Sequence, residues 1–113
     1  MGRVQDQVAV VTGAANGLGR AIALRLAGEG ARMALGDIEG AALERTVSDI
    51  TKQGGQAFGV VGDVTEEAPA ARLINDAVAR YGRLDILVNN VGGTASFSRE
   101  SSDMTVRREV YEG

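Results

Sequence analysis

Apolar positions fall along this chain in short unbroken runs, separated by longer stretches where they recur every three or four residues. Val8-Ala9-Val10-Val11 is the first unbroken run, and it suits a strand buried on both faces. Leu18 to Ala27 follows with helical spacing, and Gly28-Glu29-Gly30 stops it. Ala31 to Leu35 with Gly36-Asp37 predicts a second strand ending in an acid. Leu43, Val47 and Ile50, at i, i+4 and i+7, predict a second helix with one buried stripe, closed by Gly54-Gly55.

Ala57 to Val61 predicts strand three. Thr65 is expected to cap a third helix, with Glu66 and Glu67 in its first turn and Pro69 where a missing N–H costs little. Its buried face would carry Ile74, Val78 and Tyr81 beside Leu73 and Ala77. After Gly82-Arg83, Leu84 to Val88 predicts strand four, running into Asn89-Asn90-Val91-Gly92-Gly93. From Thr94 on, Phe97, Met104, Val106, Val110 and Tyr111 are the sizeable apolar groups, which predicts a loop and a short helix from about Ser102.

Unbroken apolar strands alternating with helices predict an α/β fold, a Rossmann-like doubly wound parallel sheet covered on both faces. Right-handed crossovers set strands one to three stepping outward and return strand four beside strand one, so the expected order is 3-2-1-4, truncated after strand four. Residues 1–93 then form the dinucleotide-binding half of a Rossmann domain, and residues 94–113 a loop and the start of the following helix. Ligands bind above the carboxyl ends at the switch point between strands one and four. Thr12 to Gly19 and Asn89 to Gly93 both fall there.

Composition narrows the chemistry. The 113 residues are 44% hydrophobic, enough for one cored domain. A net charge of −3 with both signs interspersed offers no basic face to nucleic acid or anionic lipid. The chain has no cysteine and no histidine, which removes thiol nucleophiles, disulfides, imidazole acid–base work and the usual zinc ligands. No apolar run is long enough to span a bilayer and no leader precedes the first strand, so a soluble cytoplasmic protein is expected.

Gly13, Gly17 and Gly19 stand at G-x-x-x-G-x-G spacing where strand one meets helix one. Glycine there permits a tight turn, a close approach of backbone to ligand, and close helix-to-sheet packing. The helix N-terminus, with unpaired N–H groups and partial positive charge, suits a pyrophosphate. No Lys-Ser or Lys-Thr follows, which excludes a P-loop. By itself such a turn is equally a structural device.

Asp37 changes the weighing. It lies 18 residues after Gly19, at the end of strand two, where a carboxylate can accept two hydrogen bonds from the adenosine ribose. That charge would repel a 2′-phosphate, and neither Asn16 nor Ile38 supplies a compensating cation, so NAD is expected in preference to NADP. Asp63 and Val64 close strand three, where the carboxylate could accept from an adenine amine or simply flank the next helix. Asn89 and Asn90 end an apolar strand and need paired amides, so they are expected to tie neighbouring strand ends together and line the cleft.

Thr12 to Gly19, Asp37, Asp63-Val64 and Asn89-Asn90-Val91-Gly92, in this order and spacing, resemble the short-chain dehydrogenases/reductases over roughly residues 4 to 93. The resemblance implies an oxidoreductase of the Rossmann type with NAD on Gly13, Asn16, Gly17, Leu18 and Gly19. It also implies Asp37 and Ile38 at the ribose, Asp63 and Val64 at the adenine, and Asn90, Val91 and Gly92 beside the adenosine half. Val91 stands where alanine is commoner in the family. The family's catalytic Tyr-x-x-x-Lys and its partner Ser are absent: Tyr81 is followed four places on by Asp85, Tyr111 by nothing, and the single lysine is Lys52 with Ser48 four places before it.

Catalytic and metal-ligating residues are therefore none, and an alcohol or ketone substrate is expected only with the missing carboxyl-terminal half. The expected function is the NAD-binding portion of an oxidoreductase, inactive as it stands; the alternative is a non-catalytic dinucleotide-binding or self-associating module. Stopping after strand four leaves Ile86-Leu87-Val88 on an edge, which predicts a homo-oligomer formed through that edge or a swapped tail.

Overall fold

The computed structural model describes residues 3–90 with their side chains and 105–112 as backbone. The elements run β1 (Val8–Thr12), α1 (Gly17–Gly28), β2 (Arg32–Asp37), α2 (Gly40–Lys52), β3 (Gln56–Val61), α3 (Glu67–Tyr81), β4 (Arg83–Asn89) and β5 (Thr105–Glu112). They form one sheet in the order β3-β2-β1-β4-β5, with β1 parallel to β2 and β4, and β2 parallel to β3. The expected order 3-2-1-4 is present.

β1 is the axis. All five of its residues are buried, because both faces are covered. Ala9 and Val11 point into a core shared with Met33 and Leu35 of β2, Ala23 of α1 and Leu43 and Ile50 of α2. Val8 and Val10 point the other way, into a core closed by Leu73 and Ala77 of α3 with Ala34 and Leu84. The pleat's alternation thus feeds two cores from one strand, the reason its sequence is apolar without a break. On α3 the buried stripe is Leu73 and Ala77, with Ile74, Val78 and Tyr81 half-buried beside it. Gly82, at φ +86, ends that helix, and its N–H donates to the Val78 carbonyl at 2.7 Å.

Three expectations are corrected. Residues from about Ser102 were to begin a helix, but Thr105–Glu112 is a strand, antiparallel to β4. Thr105, Val106, Val110 and Tyr111 are β-branched or aromatic types that favour pleated backbone, and β4 offers a row of unpaired N–H and C=O groups to meet. For the same reason Ile86-Leu87-Val88 is not a bare edge: these residues pair with Arg108, Arg107 and Val106. Finally, Thr65 does not cap α3. The helix starts after Glu66 without a side-chain cap, and the Thr65 hydroxyl turns back to Asp63.

Asp85, 2% exposed, was not anticipated as a structural group. Its carboxylate accepts the Val8 N–H at 2.9 Å and the Arg83 guanidinium at 2.6 and 3.1 Å, joining the starts of β1 and β4. A carboxylate at this depth is tolerable only with such charge-assisted partners.

Candidate functional site

The carboxyl ends of β1, β2 and β4 meet at the turn from Gly13 to Asn16, with the end of β3 beside that of β2. Thr12 closes β1 nearly buried; its hydroxyl donates to the Asn89 side-chain oxygen at 3.0 Å and accepts the Asn90 N–H at 2.9 Å. Asn89 through its side chain, as expected, and Asn90 through its main-chain N–H therefore brace the ends of β1 and β4. Gly13, at φ +67, packs so closely that a Cβ there would stand 2.3 Å from the Asn90 carbonyl oxygen.

The three glycines do different work. A Cβ on Gly19 would lie 1.9 Å from the Gly13 carbonyl oxygen, so Gly13 and Gly19 are required by internal packing. Gly17, at φ +58, faces nothing within 4 Å among the described residues, and its bare backbone borders open space there. α1 begins there. Asn16 precedes it in extended conformation (φ −143°, ψ 166°), contributes no side-chain cap, and no acid occupies the first turn. The N–H groups of that turn have no partner within the helix, and the turn itself contributes no carboxylate to offset their partial positive charge. Leu18 is exposed beside them.

Asp37 comes to the same place from β2. One of its oxygens accepts the Ala15 N–H at 2.9 Å and the other the Glu39 N–H at 3.0 Å. The Glu39 carboxylate in turn accepts from the Asn16 amide at 3.4 Å, closing a ring of contacts between turn and strand end. Ile38 projects into solvent next to it. Asp63 follows β3, with the Gly62 N–H donating to the Asp37 carbonyl at 3.0 Å. One Asp63 oxygen accepts both the N–H of Thr65, at 3.0 Å, and its hydroxyl; these bonds hold the Asp63 carboxyl below the usual range. Val64 packs into the α3-side core. Gly13, Asn16, Gly17, Leu18, Gly19, Asp37, Ile38, Asp63, Val64 and Asn90 are thus gathered at one end of the sheet; Val91 and Gly92 lie outside the described residues.

Tyr81 lies away from this site. Its hydroxyl donates to the Met33 carbonyl at 3.1 Å, and burial pushes its pKa up. A tyrosine acting as acid or base at neutral pH needs the opposite shift. Among the described residues no group of three or more acidic side chains is arranged to hold a metal, and no helix is long and apolar enough to cross a membrane.

Thr46 of α2 escaped sequence reading. It is fully buried beneath the turn, and the available signal was a polar residue inside a buried helical stripe, three places after Leu43.

The family model for short chain dehydrogenase matches residues 7–112. The 1,6-dihydroxycyclohexa-2,4-diene-1-carboxylate dehydrogenase of Acinetobacter baylyi is 36% identical over 115 residues, covering 96% of this chain and 44% of the relative. The 7alpha-hydroxysteroid dehydrogenase of Escherichia coli K12 is 40% identical over 91 residues, 80% of this chain and 36% of the relative. A solved short chain dehydrogenase from Mycobacterium avium superposes with a TM-score of 0.78 at 40% identity, covering 89% of this chain and 40% of that one. A 7 alpha-hydroxysteroid dehydrogenase solved with NADH and 7-oxo glycochenodeoxycholic acid gives 0.77 at 40% identity, over 80% of this chain and 36% of that one. The chain therefore spans less than half the length of these relatives.

Proposed function

The chain belongs to the short-chain dehydrogenase family of oxidoreductases, and from that premise we propose that it is the part that holds NAD. The observation that carries the reading is the meeting of α1's uncapped N-terminus with the Asp37 carboxylate, 2.9 Å from the Ala15 N–H. The open backbone at Gly17 would admit a pyrophosphate to the helix N–H groups that have no partner within the helix, and the partial positive charge of that end suits the cofactor's anionic pyrophosphate. Asp37, with Ile38 beside it, receives the adenosine ribose. Asp63 and Val64 border the adenine, and Asn90, Val91 and Gly92 lie along the adenosine half.

NAD is preferred over NADP. Arg20, the arginine nearest the turn in sequence, donates to Thr46 at 3.0 Å and pairs with Asp49, so its charge is committed elsewhere. Among the described residues no cation is placed beside Asp37 to offset its repulsion of a 2′-phosphate.

When bound, the nicotinamide supplies or accepts the hydride exchanged with an alcohol or carbonyl compound. This chain orients the adenosine end and carries no proton donor for that exchange, since it lacks Tyr-x-x-x-Lys and Tyr81 is engaged with Met33. We assign turnover to a longer protein and expect none from the chain as it stands. Calorimetric titration with ADP-ribose tests the reading. Saturable binding lost on substitution of Asp37 supports it; absence of binding at millimolar ligand contradicts it.

A second reading, self-association by exchange of β5, rests on the antiparallel β4–β5 ladder, whose register two copies could form in trans. Light scattering that finds only monomers at micromolar concentration would remove it.

A further inference from the structure

The carbonyl of Ala14 and the N–H of Ala15 belong to one peptide unit, and the fold grips it from two sides. Asp37 accepts the N–H at 2.9 Å. The Thr46 hydroxyl lies 3.1 Å from the carbonyl, nearer than the 3.4 Å to Ala42, the acceptor on its own helix, and the 3.5 Å to Ala15. A hydroxyl has one proton to give. Arg20 decides where it goes, because its guanidinium donates to the Thr46 oxygen at 3.0 Å and so occupies a lone pair and polarises the O–H. Asp49, one turn on from Thr46, pairs with Arg20 and keeps it there.

A peptide held at both its polar groups cannot rotate. Fixing the Ala15 N–H fixes in turn the Asp37 oxygen that it binds, and with it the direction of the carboxylate. We infer that Thr46, supported by Arg20, is a positioning residue for cofactor recognition: by clamping the Ala14–Ala15 peptide it aims Asp37 and sets the turn ahead of ligand. No ligand contact by Thr46 is involved; it is fully buried. The inference rests on the dinucleotide reading for its purpose, but the clamp itself is a property of the free chain.

The test uses Thr46→Val, which keeps the shape and removes the hydroxyl, and Thr46→Ser, which restores it. Two readouts are taken well below the melting temperature. In the free protein, amide exchange at Ala15 speeds at least tenfold in Thr46→Val and returns towards wild type in Thr46→Ser, while Ala34 in the middle of β2 stays protected. In calorimetry, ADP-ribose affinity falls about tenfold in Thr46→Val, the scale of one lost hydrogen bond, and recovers in Thr46→Ser. Wild-type exchange at Ala15 together with wild-type affinity in Thr46→Val overturns the clamp. A wild-type chain that binds no ADP-ribose overturns the dinucleotide reading instead, and the exchange data then judge the clamp alone. Should Thr46→Val fail to fold, Arg20→Met decides: Ala15 exchange unchanged in that variant overturns the inference, and faster exchange confined to the turn supports it.

Discussion

A Cβ on Gly19 would stand 1.9 Å from the carbonyl oxygen of Gly13, a backbone atom with no room to withdraw. A Cβ on Gly17, two residues earlier, would meet nothing within 4 Å among the described residues. The contact at Gly19 belongs to folding, and the open backbone at Gly17 is what the proposed binding site uses. Gly19→Ala is expected to lose about 2 kcal/mol or more in urea unfolding, since turn and helix must separate. Gly17→Ala should cost only about 1–2 kcal/mol, for its left-handed backbone, and remain folded. A Gly19→Ala chain as stable as Gly17→Ala would contradict this division.

Asp85 carries a polar penalty if removed. Asp85→Ala takes from the buried Val8 N–H its carboxylate acceptor, so a loss of about 1–3 kcal/mol is expected. Chemical denaturation measures it. Asp49→Ala, removing a pair on the surface of the same domain, should leave the midpoint almost unchanged.

Acid should weaken the fold through particular carboxylates. Thr65 holds the Asp63 pKa low, Arg20 that of Asp49, and the Arg3 N–H that of Glu29. Each folded pKa lies below its unfolded value, so the stability they contribute is full above about pH 4 and disappears as pH falls through the folded values. Melting temperature followed by circular dichroism should hold steady from neutrality to about pH 5 and decline below about pH 4. Asp63→Asn should shallow that decline.

Tyr81 gives the alkaline counterpart. Burial raises its folded pKa above the unfolded value of about 10, so its contribution is complete below that pH and is lost as pH rises through the folded value. Tyr81→Phe costs about 1 kcal/mol at neutral pH through the bond to Met33. It should also flatten the fall in melting temperature above about pH 10.

Much of this was legible in the sequence for definite reasons. Strands buried on both faces must be largely apolar, so Val8 to Val11 and Ile86 to Val88 announced a parallel sheet, and crossover handedness left one order for four strands. The bracing by the Asn89 side chain followed from the cost of burying an unpaired amide, whereas Asn90 braces through its main-chain N–H. What escaped depends on contacts distant in sequence. Thr105–Glu112 carries Val106 and Val110 at a spacing that fits a helix as well as a strand, and the pairing with β4 is a tertiary choice. Thr46 shows only as a hydroxyl in a helix until the Ala14 carbonyl, 32 positions away, is found above it.

The glycine turn and Asp37 are proposed to receive NAD together. Parallel calorimetric titrations with NAD and NADP, on the wild-type chain and on Asp37→Ala, test it most directly. The expected result is tighter binding of NAD than of NADP by the wild type, by about tenfold or more for an unscreened carboxylate facing a phosphate, with the preference lost in Asp37→Ala. NADP binding as tightly as NAD to the wild type, or a preference that survives removal of the Asp37 carboxylate, would contradict it.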